Sequence, residues 1–487
     1  MVFGSKVSVF ALLASVALTA CGNAEVLEPE VRTEEPGMII SEGEARRPNF
    51  VIIYTDDQRS DFIGYKNTSV ETPHMDRLAK GGLTFNQAIV TTALCSPSRA
   101  TLLTGRYASV NGVLSVDEAA MREEEVCFSE TMRASGYRTA YFGKWHLTNP
   151  AVPAQCGFEE TLYFHGIEGY FDTPLFEDDA PVETSGYLEI TLAGAIGDYL
   201  GSLGDDDAPF LIHYASLAPH MDKDFAWPNT ADTETLYSEE RFPLPETWEA
   251  SLEGKPEYLQ TSRSRRRAVE VYGYDDPLKV EAHHRAYAGA VTDLDNAVGV
   301  IADALEDAGV LDNTYIIFMG DNGWLMGEYK MTSKLLAYET SIRVPMFISG
   351  PGVTPGAVSQ ALVTNADIAP TILALSGIAP AMPMNGRSLE PLFEDAGAHW
   401  RDMAFYEAPA SMHEVYPLKA IRSQDWKYIQ TLSQGEGREL VFEELYNLKT
   451  DPNETLNLVE NAAVEDILNE LRARMLKEES DVKALIQ

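Results

Sequence analysis

The sequence predicts an α/β fold: a large, mostly parallel central sheet flanked by helices, with a smaller C-terminal α+β subdomain. Three observations predict it. Continuous apolar runs recur, as strands buried on both faces require. Helical patterns lie between them, the alternation of a parallel sheet. After about residue 395 the pattern becomes short strand-like segments followed by one charged helix. In chain order, folding is expected to begin at Pro48, and Phe50-Val51-Ile52-Ile53-Tyr54 is the first apolar run. Further runs fall at 139–142, 209–214, 314–319 and 344–348. Thr72-Pro73 opens a helix that continues through Leu78 and stops at Gly81-Gly82, with proline early and glycine at the end. A longer helix, about 281–305, sets Tyr287, Val291, Leu294, Val298, Ile301 and Leu305 on one face. Residues from about 160 to 280, rich in turns and acids, read as loops and insertions. Strands are expected at 403–406, 419–421, 426–429 and 441–445, and the charged helix at about 464–476. The expected organisation is a leader over 1–20, an acidic tether over 21–47, a catalytic domain over 48–395 and a subdomain over 396–487.

Length and charge bound the function. The chain has 487 residues, 45% hydrophobic and 10% aromatic, with 4 Cys. That is globular usage on a chain too long and too poor in cysteine for a stapled mini-protein. Lys+Arg number 37 against 75 Asp+Glu, a formal net charge of −38. A nucleic-acid partner is not expected, since that needs a basic face. An anionic ligand would need a locally basic pocket.

The N-terminus reads as an export signal. Lys6 precedes an apolar run over 7–18, too short to span a bilayer, ending in Leu18-Thr19-Ala20-Cys21. This resembles a bacterial lipobox, which implies lipidation of Cys21 and anchoring to a bacterial membrane, facing the periplasm or the cell surface. The alternative is an ordinary leader cleaved near Ala20. Lipidation would leave Cys95, Cys127 and Cys156, an odd number in an oxidising compartment. If Cys127 and Cys156 pair, Cys95 is left over and invites a chemical explanation.

Ligands of α/β sheets sit at the carboxyl ends of strands. The runs end in Asp56-Asp57, in Lys144-Trp145-His146, before Pro219-His220, and in Asp321-Asn322-Gly323. Carboxylates and a carboxamide from two strands suit a hard divalent cation, Ca²⁺ or Mg²⁺. Taken alone, Asp-Asp is equally a solvated turn and Asp-Asn-Gly a hairpin.

Cys95-Ser96-Pro97-Ser98-Arg99, followed by Leu103-Thr104-Gly105-Arg106, resembles the signature of the type I sulfatases of the alkaline-phosphatase-like superfamily. Asp56-Asp57-Gln58-Arg59, the 72–79 helix, the 136–147 segment and Glu444-Leu445-Tyr446-Asn447-Leu448 with Asp451-Pro452-Asn453-Glu454 resemble other motifs of that family. The resemblance implies that a formylglycine-generating maturation enzyme converts Cys95 to formylglycine (3-oxoalanine). It implies one Ca²⁺ held by Asp56, Asp57, Asp321 and Asn322, with the modified Cys95 completing the shell. Arg99 would favour the ionised nucleophile, and Lys144, His220 and Lys334 would bind sulfate oxygens. His220 or Lys334 would protonate the leaving oxygen, and His146 would take a proton as sulfate is expelled. One departure stands out: Gly327-Glu328-Tyr329-Lys330 carries Tyr329 where the family often shows His, and Lys330 competes weakly with Lys334.

Specificity residues are expected among Tyr329, Trp324 and Arg265, the last in the cluster Arg263, Arg265, Arg266 and Arg267, which reads either as a binder of neighbouring sulfate or carboxylate groups on a sugar polymer or as a solvated helix start or exposed loop. Trp227 and Trp248 are weaker sugar-stacking candidates, more readily core. The expected substrate is a sulfated carbohydrate. The rivals are a formylglycine-dependent phosphonate or phosphate ester hydrolase and an inactive glycan-binding lipoprotein.

Overall fold

A computed structural model describes residues 46–204, 208–412, 414–435 and 437–486. The leader, the expected lipidation site Cys21 and nearly all of the tether lie outside the described residues. Among those described, no helix is long and apolar enough to cross a membrane.

The strands in chain order are β1 Asn49–Thr55, β2 Leu83–Ile89, β3 Arg138–Trp145, β4 Glu160–His165, β5 Leu175–Glu177, β6 Ala180–Val182, β7 Phe210–Ala215, β8 Thr314–Gly320, β9 Leu325–Met326, β10 Thr332–Ser333, β11 Met346–Ser349 and β12 Ala357–Thr364. Ten form one sheet in the order β12-β2-β11-β8-β1-β7-β3-β4-β5-β6, while β9 and β10 pair separately. The centre is parallel: β1 lies between β7 and β8, and β3 between β7 and β4. β11 runs antiparallel to both of its neighbours.

The apolar runs exist because both faces of this sheet are covered. Phe50, Ile52 and Tyr54 enter one core, and Val51 and Ile53 enter the other. The second core is closed by the helix Pro277–Asp307, through Leu294, Val298, Ile301 and Leu305. Tyr287 and Val291, on the expected face of that helix, serve a third cluster under the 220–290 loops. The loop reading of 160–280 needs correction. This stretch supplies the edge strands β4 to β6 and the helix Leu188–Ser202, whose Leu192, Ile196 and Leu200 join the second core.

The C-terminal strands β13 Met403–Ala408, β14 Leu418–Ser423, β15 Trp426–Leu432 and β16 Leu440–Asn447 form an antiparallel sheet in sequential order. The final helix, Glu465–Ala484, covers it with Leu468, Leu471 and Met475. Two buried lysines tie this sheet to the rest. Lys427 on β15 pairs with Glu339 at 2.7 Å and Glu454 at 2.8 Å. Lys255 sits over the rings of Tyr329, Tyr338 and Tyr446, 4.0 to 4.8 Å from their centroids, and donates to the Tyr446 hydroxyl. Cys127 and Cys156 form a disulfide, leaving Cys95 as a free, buried cysteine.

Candidate active site

Register alone assembles the acids. Thr55 pairs with Gly320 at the ends of β1 and β8, so Asp56-Asp57 and Asp321-Asn322 emerge side by side. Asp321 N–H donates to Thr55 O at 2.8 Å, and Asp57 N–H to Asp321 Oδ1 at 3.1 Å. Asp57 takes φ +60, a left-handed conformation that Asp tolerates better than most residues. Beyond β7, strand β3 delivers Lys144 and His146. Only glycine fits before them: Gly143 has φ +110, and a Cβ there would meet Ala215 O at 2.1 Å. β7 leads through the cis Ala218-Pro219 bond to His220.

Cys95 begins the fully buried helix Cys95–Thr104, which Gly105 ends with φ +66. The free N–H groups and partial positive charge of that terminus point at the site. Arg99, one turn on, faces the same way. It bonds Asp321 Oδ2 at 3.0 Å and Asp56 Oδ2 at 3.2 Å, and donates to Lys144 O at 3.2 Å. Lys144 Nζ meets Asp56 Oδ2 at 2.5 Å. Lys334 Nζ lies 2.8 Å from Cys95 Sγ and also pairs with Asp57. His220 Nε2 lies 3.3 Å from Asp57 Oδ2, while its Nδ1 faces Met221 O at 2.5 Å.

The electrostatics follow from burial. Desolvation, with the Asp56 charge behind it, pushes the Cys95 thiol up to about 12, so the unmodified residue is no ready thiolate. Burial alone would raise Asp56, but Lys144, His220, Arg99 and Lys334 together hold it well below the usual carboxylate range. Burial and then the Asp56 charge push Asp321 up to about 7. His146 is driven well below its ordinary value, first by burial and then by Lys144, and His220 is lowered by burial.

The donor set fits a hard cation. Asp56, Asp57, Cys95 and His220 each bring a ligand atom within 4.8 Å of the others. Asp57 Oδ2 and Asn322 Oδ1 are buried and accept no hydrogen bond, which is costly unless a cation meets them. If neutral, with its Nδ1–H given to Met221 O, His220 would face Asp57 lone pair to lone pair, so this pair also calls for a proton or a cation.

Above this layer lies a cavity of about 440 Å³ whose lining includes Cys95, His146, His220, Lys334 and Trp324. The structure thus brings together Asp56, Asp57, Cys95, Arg99, Lys144, His146, His220, Asp321, Asn322 and Lys334. Lys144 lies in the carboxylate layer and does not line the cavity. Two specificity expectations need correction. Tyr329 is outside the cavity: its hydroxyl donates to Asn453 O at 3.0 Å and Glu454 O at 3.1 Å. Arg265 is outside as well, held on Tyr329 O at 2.7 Å. Lys330 pairs with Glu249, away from the sulfur atom. Trp227 and Trp248 donate to the carbonyls of Pro219 and Tyr274, as packed rings do. Met221 and Phe225, which the sequence does not single out, line the cavity together with Arg267 of the expected arginine cluster. The four-arginine cluster was the one signal that pointed near them.

The placement of Tyr329 gives a prediction. Tyr329→Phe is expected to lower stability by about 1–2 kcal/mol, because it removes one donor shared by two carbonyls. Thermal melting should fall by a few degrees, with turnover at the cavity within about twofold of the parent. A loss of turnover without a loss of stability would put Tyr329 back at the substrate.

Residues 48–378 match the family model described as Sulfatase, and residues 327–481 match the model of the N-sulphoglucosamine sulphohydrolase C-terminal region. An ulvan-active sulfatase of Formosa agariphila is 30% identical over 483 residues, 96% of this chain and 86% of that one. An N-acetylglucosamine-6-O-sulfatase of Bacteroides thetaiotaomicron is 27% identical over 510 residues, 92% and 86% of the two chains. A solved structure in complex with its substrate D-glucosamine-2-N,6-O-disulfate superposes with a TM-score of 0.77 at 26% identity, covering 90% of this chain and 98% of its own. A phosphonate monoester hydrolase of Agrobacterium radiobacter, with a TM-score of 0.69 at 23% identity over 90% and 96% of the two chains, shares the fold.

Proposed function

The chain belongs to the sulfatase family and hydrolyses sulfate esters, and from that premise we propose that the esters are carried by a sulfated carbohydrate or polysaccharide. The observation that carries the chemistry is Cys95 at a helix N-terminus, on the floor of a cavity, with Lys334 beside its sulfur and a buried carboxylate layer beneath. The relatives acting on ulvan and on N-acetylglucosamine sulfate support the carbohydrate reading.

Asp56, Asp57, Asp321 and Asn322 would hold a Ca²⁺ ion, with Mg²⁺ the alternative, which supplies positive charge beside the sulfate oxygens. Oxidised to formylglycine by a maturation enzyme, Cys95 would supply a hydrated aldehyde, whose one hydroxyl would serve as the nucleophile toward sulfur and whose other would allow sulfate release. Arg99 holds Asp56 and Asp321 in place and favours the ionised hydroxyl. Lys334 and His220 border both the residue-95 side chain and the cavity. They are placed to bind sulfate oxygens, and one of the two, Lys334 or His220, to protonate the departing sugar oxygen. Half-buried and neutral, His146 has a buried, unpartnered Nδ1 and is suited to accept the remaining hydroxyl proton. Export and lipid anchoring through Cys21 complete the proposal and rest on the leader sequence alone.

A screen of defined sulfated oligosaccharides of ulvan, fucan, carrageenan and glycosaminoglycan types tests it, with aryl sulfate, aryl phosphate and a phosphonate ester as controls. Desulfation of at least one oligosaccharide, faster than cleavage of either phosphorus ester, is expected. Turnover of the aryl sulfate with no oligosaccharide desulfated would overturn the carbohydrate assignment.

A further inference from the structure

The arginines of the 263–267 cluster do different things. Arg266 pairs with Glu414 at 2.6 Å, and Arg265 is spent on Tyr329 O. Arg267 lines the cavity that holds Cys95, and the other three do not. Among the described residues it pairs with no carboxylate. Its guanidinium lies 4.3 Å from the centroid of Phe225 and 5.5 Å from that of Tyr272, with Nη2 3.7 Å from Met221 Sδ. A guanidinium seated on ring faces is held in place while its N–H edge stays available for a planar or tetrahedral anion.

Phe225 is itself unusual. It is 48% exposed and has φ +63, a conformation that bulky residues rarely adopt. The turn around it is tied down. Asp222 N–H donates to Ala226 O at 2.9 Å, and Asp222 Oδ1 accepts from the N–H groups of Asp224 and Ala226 at 2.9 and 3.0 Å. Trp227 Nε1 donates to Pro219 O at 2.8 Å. This held, strained segment starts immediately after His220, and such segments cluster where ligands are gripped. Exposed Lys223, in the same turn, also lines the cavity.

The sulfate under attack has its own cations around Cys95, so Arg267 is available for something else. Resting on the sulfatase reading above, we propose that Arg267, seated on Phe225, is a specificity-determining residue that binds a second anionic group of the same glycan, a carboxylate or a further sulfate. The exposed Phe225 ring offers a surface to the apolar face of the sugar. Asp117 and Asp222 line the cavity as well, so the second anion is expected against Arg267 and Lys223 and not throughout the space.

Three probes test this on the full chain: a monosulfated neutral disaccharide, the same sugar carrying a uronate carboxylate, and its disulfated form. The readout is kcat/KM on each charged probe divided by that on the neutral one. The parent enzyme is expected to give a ratio of at least ten on one of them, and that probe identifies carboxylate or sulfate. Arg267→Ala should reduce this ratio at least tenfold, mainly through KM, and Arg267→Lys should restore part of it, which a purely structural role would not do. Should the alanine variant melt early, Arg267→Gln carries the same comparison. A parent ratio near one on both probes, or an equal loss on all three in the variant, overturns the proposal while leaving the sulfatase reading intact. Failure of the parent on every sulfate ester, aryl sulfate included, overturns both.

Discussion

Cys95→Ala is expected to abolish sulfate ester hydrolysis, lowering kcat/KM by on the order of 10³- to 10⁶-fold, the range seen when a nucleophile is removed from an otherwise intact site. Melting should change little. The side chain is small, and Lys334 keeps its partners Asp57 and Asp56 when the sulfur is gone. Mass spectrometry makes the test independent of activity. The Cys95 peptide from material made in the native host should be about 18 Da lighter than its thiol form, as replacing CH₂SH by CHO requires. A peptide of thiol mass from active enzyme would remove the proposed nucleophile. So would a variant that keeps most of its rate.

Chelation should give the second large effect. Treatment with EDTA is expected to reduce turnover at least 100-fold, with recovery on adding Ca²⁺. Three buried carboxylates crowd one strand junction, and without a divalent cation Arg99, Lys144 and Lys334 are their main compensation. A lysine held on Asp57 is not free for sulfate, so removing the ion should cost binding as well as rate. Stability should drop too, by about 2.7 kcal/mol when free Ca²⁺ had stood at 100 times its Kd, read as a lower melting temperature. If EDTA changes neither turnover nor melting after exhaustive dialysis, the metal assignment to Asp56, Asp57, Asp321 and Asn322 fails.

The legible parts of the fold are those where local pattern and burial agree. β1, β3, β7 and β8 are continuous apolar runs because both faces are covered, and they also carry the site at their ends. β2 and β12 escaped notice because polar residues such as Asn86, Gln87 and Gln360 break their runs. The helix Leu188–Ser202 was hidden by Gly194, Gly197 and Gly201, which lower helix propensity although neighbouring leucines bury well. In the site, residues fixed by a motif could be found from the chain alone. Tyr329 and Arg265 could not be placed, because tertiary contacts decide which way they face. Tyr329 takes φ +53 and turns to the C-terminal segment, and Arg265 follows it. Phe225 has no motif, and its importance appears only once the turn around it is seen.

The burial of the Cys95 helix bears on the order of events in the life of the chain. Every residue from Cys95 to Thr104 is inside the folded protein, and Arg99 is clamped between two aspartates. An enzyme that reads Cys-Ser-Pro-Ser-Arg as an extended peptide would have to meet it before this helix docks. The oxidation proposed for Cys95 would then have to come ahead of folding, during or just after synthesis. On that proposal, a molecule that folded first would be shut out of maturation until it unfolded again. Yield of active enzyme should then depend on the race between the two processes: slower folding at low temperature, or more of the maturing enzyme, would raise the active fraction without any change in the sequence.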